Sequence, residues 1–240
     1  MDQYLFTYLI IGVTSAVTLY AFKNKIFFEK SLFSIDAITG SNDYYRILSS
    51  VFIHANWGHL FFNMFSFYAF ATGIEMKYGP KVTAYLYLYS GLGAGILSLL
   101  LHKNDKNYRA LGASGAVCGI IFASIFLIPG GSIIVFPLPV PIPAWAYAIL
   151  FVFGSIYATN RMAGGIAHDA HLGGALTGIL TAGTIDYQAL TANPLLLVDG
   201  GPDLADSGAL VSILMKTQEL HSMMVIIVAR SAESFDKTLS

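Results

Sequence analysis

Charged residues are scarce in this sequence. The 240 residues include 13 basic and 14 acidic ones, which is 11% of the chain, whereas soluble domains average roughly 25%. Residues 47–74, 82–102 and 110–160 contain no charged residue. Each of these stretches is long enough to cross a bilayer. With 55% hydrophobic residues, the composition excludes an ordinary soluble domain and indicates a membrane protein.

Cysteine and net charge are limited as well. The single cysteine, Cys118, excludes an intrachain disulfide framework and a cysteine-based zinc site. The formal net charge of -1 leaves no basic surface for nucleic acid, so we expect no nucleic-acid partner.

Six membrane-spanning helices are predicted where hydrophobic stretches end at Gly, Pro, Asn or a charged residue. The predicted spans cover residues 4–22, 59–76, 82–101, 116–128, 143–157 and 168–185. We interpret the first as a retained span and not a cleaved signal peptide, because Asp2 makes the leading residues acidic. The fourth span rises only about 20 Å across a hydrocarbon core of about 30 Å. One of its ends must therefore lie below the membrane surface.

The other regions divide into an interfacial loop and a tail. Residues 23–50 mix turn-forming and aromatic residues, which favours a loop at the membrane interface. A seventh span over residues 209–228 would bury Lys216 and Glu219 at a cost of about 2.5 to 3.5 kcal/mol each. We therefore predict an all-α, polytopic membrane domain over residues 1–186 and an extramembrane tail over residues 187–240.

Polar residues inside predicted spans indicate a functional site, because such residues are costly in a bilayer. His59 and Asn63 are four residues apart and share one helix face. Ser114 stands in the pattern Gly112-Ala-Ser114-Gly115 at the start of the short fourth span. A structural interpretation also stays open for each, as a hydrogen bond between helices or as a helix N-cap.

The sixth span combines a histidine with a glycine stripe. Gly174 and Gly178 form a small-xxx-small pair that lets another helix approach closely, and His171 lies one turn earlier on the same side. If the fourth helix packs on this stripe, the Ser114 hydroxyl meets the His171 imidazole. Asp169 points roughly 160° around the helix from His171, so we do not assign it to the site.

A metal site is an alternative use of the histidines. The His-Glu-x-x-His signature is absent, and His168-Asp-Ala-His171 lacks a clear carboxylate third ligand. We therefore expect no metal and no other cofactor.

Together these motifs resemble the rhomboid family of intramembrane serine proteases. The resemblance extends over residues 45–178, where five features occur in the family's order. They are Tyr45-Arg46, His54 with His59-x-x-x-Asn63, Glu75, Gly112-x-Ser114-Gly115, and His171-x-x-Gly174-x-x-x-Gly178. One position departs from many bacterial members, which carry a tyrosine one turn after the serine, where this chain has Cys118.

The resemblance implies a six-helix bundle in which Ser114 and His171 form a catalytic dyad. It also implies that His59, Asn63 and the Ser114 backbone N–H stabilise the oxyanion, without metal or cofactor. The resemblance further implies that the fifth helix gates the lateral entry of substrates and that Arg46 and Glu75 brace the scaffold.

The expected activity is serine endopeptidase cleavage of transmembrane helices in or near the bilayer. Its partners are transmembrane protein substrates and membrane lipids. The expected location is a bacterial cell membrane, with the mitochondrial inner membrane as the alternative. A catalytically inactive rhomboid-like protein, which binds membrane proteins or serves in their quality control, is the alternative function. A small channel is disfavoured, because the sequence lacks rings of like charge and repeated pore motifs.

Overall fold

The structure, a computed structural model, describes residues 4–128, 130–134, 140–150, 153 and 168–186, and these are predominantly helical. The elements in chain order are helices α1 (Leu5–Lys23) and α2 (Lys25–Ser31), strand β1 (Phe33–Ser34), helices α3 (Ile35–Gly40) and α4 (Arg46–Ser49), a 3-10 helix (Ser50–Phe52), helix α5 (Trp57–His102), strand β2 (Arg109–Ala110), helix α6 (Ser114–Leu127), strands β3 (Ser132–Ile134) and β4 (Pro141–Pro143), helix α7 (144–150) and helix α8 (His168–Ile185). Strand β1 pairs antiparallel with β2, and β3 pairs antiparallel with β4.

Helix α5 consists of two arms that meet at Gly79. This glycine has φ 84° and ψ 169°, a backbone conformation that a residue with a side chain rarely adopts. Pro80 follows it, and proline is tolerated at the start of a helix because the N–H that it lacks has no helical partner there. The predicted spans 59–76 and 82–101 therefore correspond to two helices joined at a single glycine.

Helix α6 is enclosed by its neighbours. Of its 14 residues, all but Phe122 are buried, and α6 packs against both α5 and α8. A helix that is apolar on every side is expected to be surrounded in this way. Its length of about 21 Å is less than the thickness of a hydrocarbon core of about 30 Å. The helix begins at Ser114, two residues before the predicted start.

The backbones of α6 and α8 touch at two glycines of α8. A Cβ atom built on Gly174 would collide with the Gly115 carbonyl, and one built on Gly178 would collide with the Gly119 carbonyl. No side chain separates the two backbones at these glycines, so the helices pack in direct backbone contact. This glycine stripe fixes the register in which the start of α8 lies beside the start of α6.

Residues 23–50, predicted as an interfacial loop, contain three short helices and strand β1. The first of these helices, α2, begins at a cap in which Asn24 Oδ1 accepts the Phe27 N–H at 2.9 Å. Such a cap stabilises a helix terminus locally. The pairing of β1 with β2 brings this segment beside the residues that lead into α6.

Two of the described helices, α1 and α5, are long and apolar enough to cross a membrane. The predicted first, second, third, fourth and sixth spans coincide with described helices. In the fifth predicted span, 143–157, residues 144–150 and 153 are helical, and the others after 150 lie outside the described residues. The predicted tail, 187–240, also lies outside them.

Candidate active site

Ser114 and His171 meet at the adjacent starts of α6 and α8. Ser114 Oγ and His171 Nε2 are 2.7 Å apart, which is a hydrogen-bond distance. Both residues are buried, with 8% and 5% of their surface exposed. A hydroxyl bonded to an imidazole can transfer its proton to the ring and become a stronger nucleophile.

A small cavity adjoins Ser114. Its volume is about 40 Å³. A cavity needs roughly 10 to 15 Å³ to hold one buried water molecule, so this cavity is large enough. The lining includes Ser50, Ser98 and Ser114, together with Ala170 of α8. The site therefore has room for water beside the hydroxyl, with polar atoms in its wall.

His59 lies against the loop that leads into α6. A Cβ atom built on Gly112 would lie 2.6 Å from His59 Cε1, so only glycine leaves space for the imidazole. Gly112 also has φ 113°, which disfavours any side chain. The structure thus brings His59 to a point two residues before Ser114.

Asn63 lies one turn after His59 on α5 and is buried. Its Nδ2 donates a hydrogen bond to the His59 carbonyl at 2.8 Å. Its Oδ1 has no hydrogen-bond partner among the described residues. The side-chain hydrogen bond of Asn63 therefore stays within α5 and does not extend to Ser114.

A second histidine, His54, joins α1 to the loop before Ser114. Its Nδ1 is 3.1 Å from Thr18 Oγ1, and its Nε2 accepts the Ala113 N–H at 3.3 Å. Because the Thr18 hydroxyl donates to the Phe52 carbonyl at 3.0 Å, it accepts from His54 Nδ1. These bonds assign the ring proton to Nδ1. His54 thus binds the peptide group between Gly112 and Ala113, one peptide before the one that carries the Ser114 N–H.

The sequence motifs included His54 without a role and missed its partner on α1. One signal was available in the spacing of Thr7, Thr14 and Thr18, which share a helix face. All three are fully buried. A threonine stripe on an apolar helix indicates polar contacts with neighbouring segments, because buried hydroxyls need partners.

Glu75 and Arg46 connect more distant segments to this core. Glu75 accepts hydrogen bonds from the Thr7 N–H at 2.9 Å, from the Thr7 hydroxyl at 2.6 Å and from the Phe6 N–H at 2.8 Å. These N–H groups belong to the first turn of α1, where they have no acceptor within the helix. Arg46 Nη1, at the start of α4, donates to the Glu29 carbonyl at 2.8 Å and so links α4 to α2.

Cys118 and Asp169 lie close to Ser114 and His171 in the sequence. Cys118, one turn after Ser114, is fully buried and supplies a small thiol at that position. Asp169 faces away from Ser114 and is bonded to Tyr108. Across the part of the chain that the structure describes, no group of three His, Cys, Asp or Glu side chains could hold a metal ion.

Comparison with known proteins identifies the family. A family model described as Rhomboid domain matches residues 41–188, which is more than half of the chain. Three relatives are each 31% identical to this chain over the aligned residues. They are Rhomboid-like protein 11, chloroplastic, of Arabidopsis thaliana (57% of this chain and 51% of the relative), Rhomboid protein 1, mitochondrial, of Saccharomyces cerevisiae (56% and 40%) and Rhomboid protease AarA of Providencia stuartii (65% and 60%).

The matches extend over about half the length of these relatives. The family match includes the segments that carry Ser114 and His171. The resemblance drawn from the motifs is confirmed, and the chain belongs to the rhomboid family of integral membrane proteins.

Proposed function

We propose that this protein is an intramembrane serine endopeptidase in which Ser114 is the nucleophile and His171 the general base. The observation that carries the proposal is the 2.7 Å distance between Ser114 Oγ and His171 Nε2, which lies within the range for proton transfer. Ser124, another buried serine of α6, donates instead to the Ile121 carbonyl of its own helix. Ser114 differs from Ser124 because it contacts a base, His171, on a neighbouring helix.

The reaction proceeds in two stages. His171 Nε2 accepts the hydroxyl proton as Ser114 Oγ attacks the carbonyl carbon of the scissile peptide bond. The imidazolium then donates this proton to the leaving amine, so the C–N bond breaks and an acyl ester of Ser114 remains. His171 next accepts a proton from water as the water oxygen attacks the acyl carbon, and then returns that proton to Ser114 Oγ, so the ester C–O bond breaks and the carboxylic acid leaves. The cavity of about 40 Å³ beside Ser114 can hold that water.

Negative charge on the tetrahedral intermediate needs hydrogen-bond donors. We assign this role to His59, Asn63 and the Ser114 backbone N–H, which is one of the free donors in the first turn of α6. The contact between His59 and Gly112 keeps the imidazole beside the loop. Asn63 Nδ2 carries a second N–H besides the one donated to the His59 carbonyl.

The proposal includes a six-helix transmembrane bundle over residues 1–186 and an extramembrane tail over residues 187–240. The shortness of α6 favours a serine below the membrane surface, since about 21 Å of helix does not cross the hydrocarbon core. Substrates are transmembrane helices that unwind locally, and Gly or Pro near the scissile bond favours unwinding. We place the protein in a bacterial cell membrane, with the mitochondrial inner membrane as the alternative.

Fluorophosphonate labelling of the full chain in detergent tests this proposal, because the reagent modifies activated serines. We expect the wild type and the Ser124→Ala variant to be labelled, and Ser114→Ala and His171→Ala to remain unlabelled. Circular dichroism checks the fold of each variant. If the folded wild type is neither labelled nor able to cleave a model transmembrane substrate, the inactive, protein-binding alternative is favoured.

A further inference from the structure

Asp169 has a largely buried carboxylate that the proposed reaction does not use. Its side chain is 9% exposed, and burial of a carboxylate is costly unless it is hydrogen-bonded. The Tyr108 hydroxyl lies 3.1 Å from each of the two carboxylate oxygens. His102 Nε2 lies 3.5 Å from Asp169 Oδ1. These contacts connect the first turn of α8 to the end of α5 and to the loop that leads into α6.

The Tyr108 ring is held by two aromatic neighbours. The His102 imidazole stacks on it with a centroid distance of 3.9 Å and an interplanar angle of 11°. Phe33 of β1 meets the ring edge-on at 6.0 Å and pairs with Ala110 in the ladder of β1 and β2. The Tyr108 hydroxyl is a proton donor at neutral pH, and burial raises its pKa further. The loop is thus fixed before it reaches Ser114.

Asp169 and His171 lie on nearly opposite faces of α8, because two residues correspond to a turn of about 200°. Side chains extend about 6 Å from a helix axis, so a rotation of about 10° would move His171 Nε2 by about 1 Å. A displacement of that size can lower a catalytic rate about 100-fold. Gly174 lies one turn after His171, and in the first turn the Ala170 carbonyl lies near Gly115, whereas helix ends fray readily.

We propose that Asp169 and Tyr108 are positioning residues for the Ser114–His171 pair, because they fix the first turn of α8 against the loop that carries the serine. This inference rests on the proposed function of that pair. Neither positioning residue contacts the reacting atoms. Their contact lies on the face of α8 opposite His171. It keeps α8 in the orientation in which His171 is at hydrogen-bond distance from Ser114.

The other end of α8 supplies a matched control. There the Tyr78 hydroxyl donates to Asp186 Oδ2 at 2.9 Å, so the same pair of groups fixes the last turn, about 25 Å from the first. Tyr108→Phe and Tyr78→Phe each delete one hydroxyl that bonds a carboxylate at an end of α8, Asp169 in its first turn or Asp186 directly after its last residue. Both variants should unfold at slightly lower temperature, but only Tyr108→Phe should displace His171.

The first measurement is the nitrogen-15 NMR spectrum of the imidazoles of the full chain in detergent. His171 is assigned by its loss in His171→Ala, and Ser114→Ala gives the His171 shifts that follow loss of the serine hydrogen bond. We expect Tyr108→Phe and Asp169→Ala to move the His171 shifts toward those values, and Tyr78→Phe to leave them unchanged. Wild-type His171 shifts in Tyr108→Phe would overturn the proposal, whether or not the protein cleaves a substrate.

The second measurement is the cleavage of a model transmembrane substrate. We expect kcat to fall at least about tenfold in Tyr108→Phe and Asp169→Ala, with KM within about twofold of the wild type. The double variant should be no slower than the slower single variant, because both changes delete the same interaction.

Equal losses of kcat in Tyr108→Phe and Tyr78→Phe would indicate general destabilisation and would overturn the positioning role. Failure of the proposed function gives a different result. In that case the folded wild type cleaves nothing, while the His171 shifts still respond to Tyr108→Phe and support the positioning role.

Discussion

The two ends of α6 each carry a buried serine with different hydrogen bonding. Ser114, at the start, is 2.7 Å from His171 Nε2 of α8, whereas Ser124, in the last turn, donates to the Ile121 carbonyl of its own helix at 2.8 Å. Serines within helices commonly bond their own backbone in this way. The comparison teaches that burial and residue type do not distinguish Ser114 from Ser124, whereas the contact with an imidazole of a neighbouring helix does.

The same contrast extends to the neighbouring helix ends. Where α6 and α8 begin, which we call the reactive end, a hydroxyl of one helix meets an imidazole of the other. At the opposite, structural end, Lys77 Nζ donates to the Leu127 carbonyl at 2.8 Å and the Tyr78 hydroxyl bonds Asp186. These bonds satisfy groups at helix termini. The predictions below test this division.

Ser114→Ala and His171→Ala should separate the two ends most strongly. Without nucleophile or base, we expect cleavage of a model transmembrane substrate to fall about 10³-fold or more, while Ser124→Ala stays within about twofold of the wild type. Single-turnover cleavage in detergent gives the rates, and unfolding temperatures verify the fold. Cleavage by both catalytic variants above about a tenth of the wild-type rate, with contaminating protease excluded, would end the dyad assignment.

His59→Ala and Asn63→Ala should lower kcat by about 10² to 10³, the usual loss on removal of one oxyanion donor. KM should change little, because these donors act on charge that appears in the transition state. Steady-state kinetics measure both constants. Thr72→Ala is the control, since the Thr72 hydroxyl bonds the carbonyl of its own turn in the same arm of α5. Lower unfolding temperatures with normal cleavage by the folded molecules would instead assign a structural role.

Gly174→Ala should destabilise the contact between α6 and α8, because its new methyl group would collide with the Gly115 carbonyl. Overpacking of this kind costs about 1 to 3 kcal/mol. Gly12→Ala is the matched control, as nothing lies within 4 Å of a Cβ atom at that helical position. Equilibrium unfolding in detergent measures both. Equal stabilities of the two variants would contradict the close approach of the backbones.

Lys77→Met should lower the unfolding free energy by about 1 kcal/mol, because it removes the hydrogen bond to the Leu127 carbonyl. The kcat of the folded variant should stay unchanged, since this bond lies at the structural end. Parallel unfolding and cleavage assays test the prediction. A variant of wild-type stability with reduced kcat would show that this end contributes to catalysis.

Truncation after Tyr187 should have the smallest effect. Every proposed catalytic residue precedes that point, so we expect kcat within about twofold of the full chain. Cleavage by the truncated protein in detergent is compared with that of the full chain after both have been shown to be folded. An inactive but folded truncated protein would show that the boundary at residue 186 is misplaced.

The fold was predictable where a single stretch of sequence decides the structure. Hydrophobic stretches with few charged residues located α1, both arms of α5, α6 and α8 to within a few residues, because burial of apolar surface requires such stretches. The short helices in residues 23–50 were not predicted. Their formation depends on local caps such as Asn24 and on the pairing of β1 with β2, which the turn-rich composition does not reveal.

The candidate site was predictable to a smaller extent. The spacing of Gly174 and Gly178 predicted that some helix approaches α8 closely, but only the three-dimensional structure identifies α6 as that helix. The bond from His54 to the Ala113 N–H and the bond from Tyr108 to Asp169 each join segments about 60 residues apart in the chain. No periodicity within one segment specifies such a contact, because its geometry depends on the packing of several helices and loops.

The glycine stripe of α8 also bears on the path by which a substrate of the proposed protease would reach Ser114. With the Gly174 position against the Gly115 carbonyl and the Gly178 position against the Gly119 carbonyl, the gap between the helices is narrower than a methyl group. A polypeptide cannot be inserted there without separating the two helices that carry Ser114 and His171. The side of the serine closed by α8 is therefore a wall, and a peptide bond must approach Ser114 from another direction.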